Sequence, residues 1–282
     1  MASNRVLDRM IEASANLVSL PDVFHRINAA VEHPFSTLDQ IAAIIMEDPG
    51  LTARLLKIAN SSFYGLPHPV ETISRALTVV GTRQLRDLVM ATVAVNQFNG
   101  VPDNLLNISD FWRHSITCGL AARVIATYRR EANVESFYVA GLLHDVGRLL
   151  FFMIRPEVSA KLMEDAKSQG LLLHQVEKQS VGFDHAEIGG ALLAKWKLPD
   201  RLCQMVRWHH QPSLAESHME AATVIHIADI LAQSLRRGFS GEWFVPPLDV
   251  KAWESSGLSP NMIPTIAKQV EKQYGVAVHL FA

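Results

Sequence analysis

Residues 137–152 read FYVAGLLHDVGRLLFF, and this stretch decides the fold. It is apolar enough for a protein interior, yet it places His144 beside Asp145 and sets Arg148 three residues on. Its apolar positions recur at three and four residues, so it reads as one helix, FYVAGLLHDVGRLLFFMI, stopped by Pro156. At about 100° per residue, with His144 as zero, Arg148 lies near 40°, Gly141 near 60° and Asp145 near 100°. One face then carries an imidazole, a carboxylate, a cation and a residue without a side chain, a face with room for something. Leu142, Leu143, Val146, Leu149 and Leu150 anchor the helix in a bundle.

The same period extends in both directions, and alternating runs bounded by turn residues are scarce, so the chain is expected to be all-α, a multi-helix bundle. Thr37 and Gln40 form a capping box for a helix ending before Pro49, and a second helix runs to NSSFYGLPHP, closed by Gly65, Pro67 and Pro69. A helix from Glu71 ends at Gly81, and TRQLRDLVMATVAVNQF follows. The polar stretch at 99–107 is the best boundary. Beyond it come SDFWRHSITCGLAARVIATYRR, the His144–Asp145 helix, PEVSAKLMEDAKSQG, HAEIGGALLAKWK opened by Asp184 and Glu187, DRLCQMVRWHHQ behind Pro199, and MEAATVIHIADILAQSLRR. The loop GFSGEWFVPPLD precedes two short helices. The expected organisation is a helical subdomain at 1–100, a metal-binding helical subdomain at 101–238, and a C-terminal loop with short helices at 239–282.

At 282 residues the chain buries a sizeable core in one large or two small domains. The 26 basic and 28 acidic side chains leave a formal charge of −2, which gives no reason to expect a nucleic-acid polymer or an anionic membrane as partner. Two cysteines, Cys118 and Cys203, suit reduced thiols in a cytoplasmic protein. The charged N-terminus does not read as a signal peptide, and no uninterrupted apolar run reaches the roughly 18 residues of a membrane span. Oligomeric state is not legible.

The unusual feature is 12 histidines. His114, His144, His185, His209 and His210, with Asp145 and Asp229, fall on successive helices. Mixed imidazole and carboxylate donors suit divalent iron, manganese or zinc, and this number can hold two ions with Asp145 as bridge. His226 reads equally as a supporting donor or as a residue of a partly exposed helix. Cys118 is expected in the core, Arg83 and Arg86 are expected as solvated charges, and His25, His33, His68, His174, His218 and His279 as ordinary surface or hydrogen-bonded histidines.

The order His114, His144-Asp145, His185, His209-His210, Asp229 resembles the metal pattern of the HD phosphohydrolase superfamily. The preceding half, above all DPGLTARLLKIANSSFYG, is similar to the HDOD family, a signalling branch of that superfamily; the likeness covers roughly residues 12 to 215, and the metal pattern extends it to Asp229. The resemblance implies an all-α regulatory module acting through a signalling protein partner or a phosphorylated small molecule, in a branch that commonly loses metal ligands but here retains them. It also implies an alternative: a metal-dependent phosphohydrolase acting on a nucleotide or cyclic nucleotide, with Asp145 at the metals and Arg148 clamping phosphate. HD-GYP enzymes, which hydrolyse cyclic di-GMP, are similar in the HD helix but have lysine at the position of Arg148 and a Gly-Tyr-Pro signature where this chain has HHQPSLAES. Asp110 stands where some of them place a glutamate for a third metal.

Overall fold

The computed structural model describes all residues except 1, 15, 16, 62, 63, 65, 67, 99 and 282, and the side chains of 2–4, 276 and 279–281 are likewise left aside. Gly65 and Pro67, read as helix terminators, and the side chain of His279 lie outside the described residues. Among the described residues every regular element is helical, so the fold is all-α.

Two compact units divide the chain. The smaller comprises Leu20–Gln97 and Lys272–Ala282. Its helices are α2 (Asp22–Glu32), α3 (Leu38–Met46), α4 (Pro49–Ala59), α5 (Ile73–Val80) and α6 (Thr82–Val95). Local chemistry sets their ends. Thr37 and Gln40 exchange side-chain and backbone bonds in the expected capping box, Asp48 caps α4 ahead of Pro49, and Gly81 takes φ 100° between α5 and α6. Arg86, read as a solvated charge, is instead buried. It reaches Glu32 at 2.5 Å and Asp87 at 2.8 Å, because α6 is buried on most of its circumference and a charge there requires partners.

The larger unit, Met1–Ser19 with Phe98–Glu271, holds the histidines of interest. Its helices are α1 (Ala2–Ala13), α7 (Ile108–Tyr128), α8 (Val134–Leu143), α9 (Val146–Ile154), α10 (Pro156–Gln169), α11 (Leu173–Val181), α12 (His185–Lys195), α13 (Asp200–Arg207), α14 (Met219–Leu235) and α15 (Val250–Ser255), and α16 (Ile263–Phe281) begins in it. The C-terminal helix is thus long, where a short one was expected, and α11 is a helix the periodicity did not reveal.

The central correction concerns residues 137–154. They do not form one helix: α8 ends at Leu143, α9 starts at Val146, and Asp145 sits between them at φ −100°, ψ 5°. The His144 ring places Nδ1 2.7 Å from the Gly141 carbonyl, so a side chain engages the main-chain acceptor one turn back where the helix breaks. The angles drawn on an unbroken helix therefore do not apply. Nor is the space at Gly141 open. A Cβ there would lie 2.8 Å from Gly119 Cα and 2.9 Å from the Cys118 carbonyl, so the missing side chain admits the backbone of α7. Gly147 does the same for α12, where a Cβ would lie 2.0 Å from the His185 carbonyl oxygen. The window within Val134–Ile154 is apolar enough by composition to cross a bilayer, yet 89% of it is buried inside the protein.

Candidate metal centre

Five pieces of chain deliver the site. His114 projects from α7, His144 and Asp145 from the α8–α9 break, His185 from the first position of α12, His209 and His210 from the turn after α13, and Asp229 from α14. The start of α12 is set by Asp184, whose carboxylate accepts from Glu187 N while the Glu187 side chain returns to Asp184 N. Burial then pushes the Asp184 carboxyl up to about 6.

All seven expected residues come together, in two groups whose donor atoms lie within 4.8 Å of one another: Asp145, His185, His209 and His210, and His114, His144 and Asp229. Asp145 joins them. Its Oδ1 is 3.1 Å from His185 Nε2 and 3.8 Å from His209 Nε2, while Oδ2 is 3.3 Å from His144 Nε2. Asp229 Oδ1 lies 3.2 Å from His114 Nε2 and 3.4 Å from His144 Nε2.

These groups surround common points without hydrogen-bonding one another in full. His114 Nε2, His144 Nε2, His209 Nε2 and Asp145 Oδ1 are buried with no hydrogen-bond partner. The opposite ring nitrogens are spoken for: His144 Nδ1 at Gly141 O, His209 Nδ1 at Val206 O (2.7 Å), and His185 Nδ1 at Glu177 Oε2 (2.6 Å). A ring whose Nδ1 donates to a fixed acceptor turns the lone pair of Nε2 inward, the arrangement metal-ligating histidines use. Buried polar atoms left unpaired yet convergent, on imidazole and carboxylate groups, fit divalent cations.

Charge follows the same geometry. Burial opposes ionisation of Asp145, but Arg148 and His144 hold its carboxyl well below the usual carboxylate range. Asp229 is likewise depressed against burial by the His114 and His144 rings beside it. His144 is held well above the ordinary imidazole value against burial, first by Asp145. Burial and Arg148 would lower His185, yet Glu177 and Asp145 bring it to about 9. Burial and its charged neighbours push His209 down to about 3 and His210 well below normal, leaving neutral rings; His210 Nε2 lies 2.8 Å from His185 Nε2.

The other expectations resolve individually. His226 supports the site from outside: Nδ1 lies 2.8 Å from the His209 carbonyl, and Nε2 accepts from Asp249 N at 2.9 Å. Both its nitrogens are thereby used. Asp110 does not join the centre; it pairs with Arg113 at 3.1 Å with 43% of its side chain exposed. Cys118 is buried, and burial raises its thiol. Arg148 is 1% exposed, with Nη1 donating to Ser240 O and Oγ at 2.7 and 2.8 Å, so it is not presented to a phosphate from solvent.

Two residues were missed. His174, read as ordinary, stacks on His210 with centroids 4.0 Å apart, and Glu177 orients His185 through both its Nδ1 and its main-chain N–H. Both lie on α11, and assigning that helix places the two residues three apart on one face. A cleft of about 300 Å³ opens beside them, lined by His174, Gln175, His210, Gln211, Pro246 and Asp249 among others. His210 is the only one of the seven that is not fully buried.

Comparison with known proteins gives the family and the fold. Residues 17–212 match the family model described as the HDOD domain. An uncharacterized protein of Treponema pallidum (strain Nichols) is 28% identical over 222 residues, which are 78% of this chain and 43% of that protein, so the chain spans less than half of that curated relative. The crystal structure of an HDOD domain protein of unknown function from Geobacter sulfurreducens superposes with a TM-score of 0.75 at 25% identity, covering 96% of each chain. A candidate phosphohydrolase from Shewanella amazonensis gives a TM-score of 0.73 at 24% identity, again over 96% of each, and shares the fold.

Proposed function

The chain belongs to the HDOD domain family, and from that premise we propose that it is a signal-transduction module organised around a divalent metal centre, passing its state to a signalling protein partner. The observation that supports this is the set of buried, unpartnered Nε2 and Oδ1 atoms facing common points. His114, His144 and Asp229 would hold one ion and His185, His209 and His210 a second, with Asp145 between them. Iron, manganese or zinc bound there would supply positive charge and Lewis acidity. The chain's own part is to orient the rings through Gly141, Val206 and Glu177 and to exclude water: His114, His144, Asp145, His185 and His209 are each at most 2% exposed. So enclosed a centre suits regulation, with a phosphorylated small molecule reaching it past His210 as the effector. A cytoplasmic setting goes with the two buried, unbridged cysteines.

The cleft at His210 favours one second reading, a metal-dependent phosphohydrolase of a nucleotide or cyclic nucleotide. In that reading the cleft beside His174 and His210 is where a substrate would approach the metals. Anaerobic purification, elemental analysis and a screen of phosphodiesters and nucleotides separate the two. The expected result is near-stoichiometric metal without turnover. Turnover that vanishes in a folded Asp145→Ala protein makes hydrolysis the primary function, and absence of metal removes both readings.

A further inference from the structure

The two groups of donors are unequal in their charged surroundings. At the second group, Glu177 accepts from His185 Nδ1, so Nε2 is the atom of that ring left to bind an ion once its own proton is displaced. Arg148 Nη2 is 2.9 Å from this same Nε2, which His210 Nε2 also approaches at 2.8 Å, and Nη1 is 3.2 Å from Asp145 Oδ2, the oxygen turned toward His144. A guanidinium cannot be deprotonated, and this one cannot move aside freely, because Ser240 accepts twice from Nη1 and is itself 1% exposed. One lone pair cannot accept from an arginine and bind an ion at once. At the first group, the ion-pair partners of Asp229 are His114 and His144, and no arginine or lysine pairs with it among the described residues.

We infer that Arg148 is a built-in cation that makes the centre asymmetric: it competes for His185 and weakens the second ion, while the position at His114, His144 and Asp229 fills first. This rests on the metal reading above and adds which position is conditional. Filling the second position requires Nη2 to leave His185, and because Nη1 of the same guanidinium holds Ser240, that movement bears on the segment that also lines the cleft through Pro246 and Asp249. The conditional ion thus has a route to the surface. Arg148 acts here as a positioning residue; it is given no part in bond making.

The test is calorimetric titration of the full metal-stripped chain with manganese(II), with elemental analysis of the products. Wild type is expected to bind one ion tightly and a second at least ten-fold more weakly. Arg148→Gln is expected to tighten the second step roughly ten- to a hundred-fold, the range that outer ligand partners command, and to shift the first, which Arg148 reaches only through Asp145 Oδ2, by less than the second. Arg148→Lys keeps the charge and is expected to retain a weak second step, which a purely structural role for the arginine would not require. Two indistinguishable steps in wild type, or an unchanged second step in folded Arg148→Gln, overturn the inference and leave the metal reading standing. The wild-type isotherm decides even where Arg148→Gln does not fold. No binding at all overturns both.

Discussion

Each compact unit buries an arginine, and the two are handled differently. In the smaller unit Arg86 meets Asp87 through Nε and Nη2 and Glu32 through Nη1, so the cation is matched by carboxylates that serve it directly. In the larger unit Arg148 shares Asp145 with His144, His185 and His209, and unpartnered ring nitrogens remain around it. A closed pair of charges is a way of folding a helix whose surface is nearly all buried. A cluster left open in the interior, where an unmade hydrogen bond costs about 1–3 kcal/mol, calls for a different reason, and its imidazole and carboxylate donors are a set able to hold a divalent ion.

The largest effect should come from swapping the same kind of damage between the units. Asp145→Asn removes the shared carboxylate charge, and metal content measured by elemental analysis should fall to background at both positions while helicity by circular dichroism persists. Arg86→Met should do the reverse, leaving metal content intact and lowering stability in denaturant titration by about 2–3 kcal/mol. That is short of the value for a fully buried pair, because the Glu32 side chain is 58% exposed. Metal loss in Arg86→Met would break the contrast.

A second test uses pH on metal-stripped protein. Burial holds His174 at about 4 and His209 at about 3, whereas an unfolded histidine titrates near 6.5. Between those values the unfolded chain binds more protons, so stability should fall as pH drops from 6.5 toward 4, read as a Tm lowered by several degrees. His185, raised to about 9, contributes the opposite slope, present below 6.5 and lost as pH climbs to 9. Bound metal should flatten both arms. The smallest effect concerns the thiols. Burial pushes Cys203 up to about 11 and raises Cys118, so native protein at pH 8 should resist iodoacetamide, with both cysteines labelled only in denaturant, as mass spectrometry would show.

Much of this was legible from residues alone. The capping boxes at Thr37 and Asp184 are local chemistry and appear where expected. The seven donors could be picked out because their types and order repeat a known pattern. Other features were hidden for stated reasons. Glu177 and His174 sit in LHQVEKQSV, whose apolar residues are too few for a clear period, and their roles arise from contact with His185 and His210 on other elements. Arg148 was visible as a cation near the centre, but which way it pointed depended on Ser240, 92 residues away.

By itself the sequence determined the helical class, the helix ends that depend on caps and prolines, and the chemical character of the site, since these follow from side-chain type and near-neighbour spacing. Tertiary structure alone decided that the His144–Asp145 helix breaks, that glycines 141 and 147 admit neighbouring backbones in place of a ligand, and that Arg148 faces inward. Each of these outcomes depends on atoms brought close by packing between segments distant in the chain, and spacing along one segment does not encode that proximity.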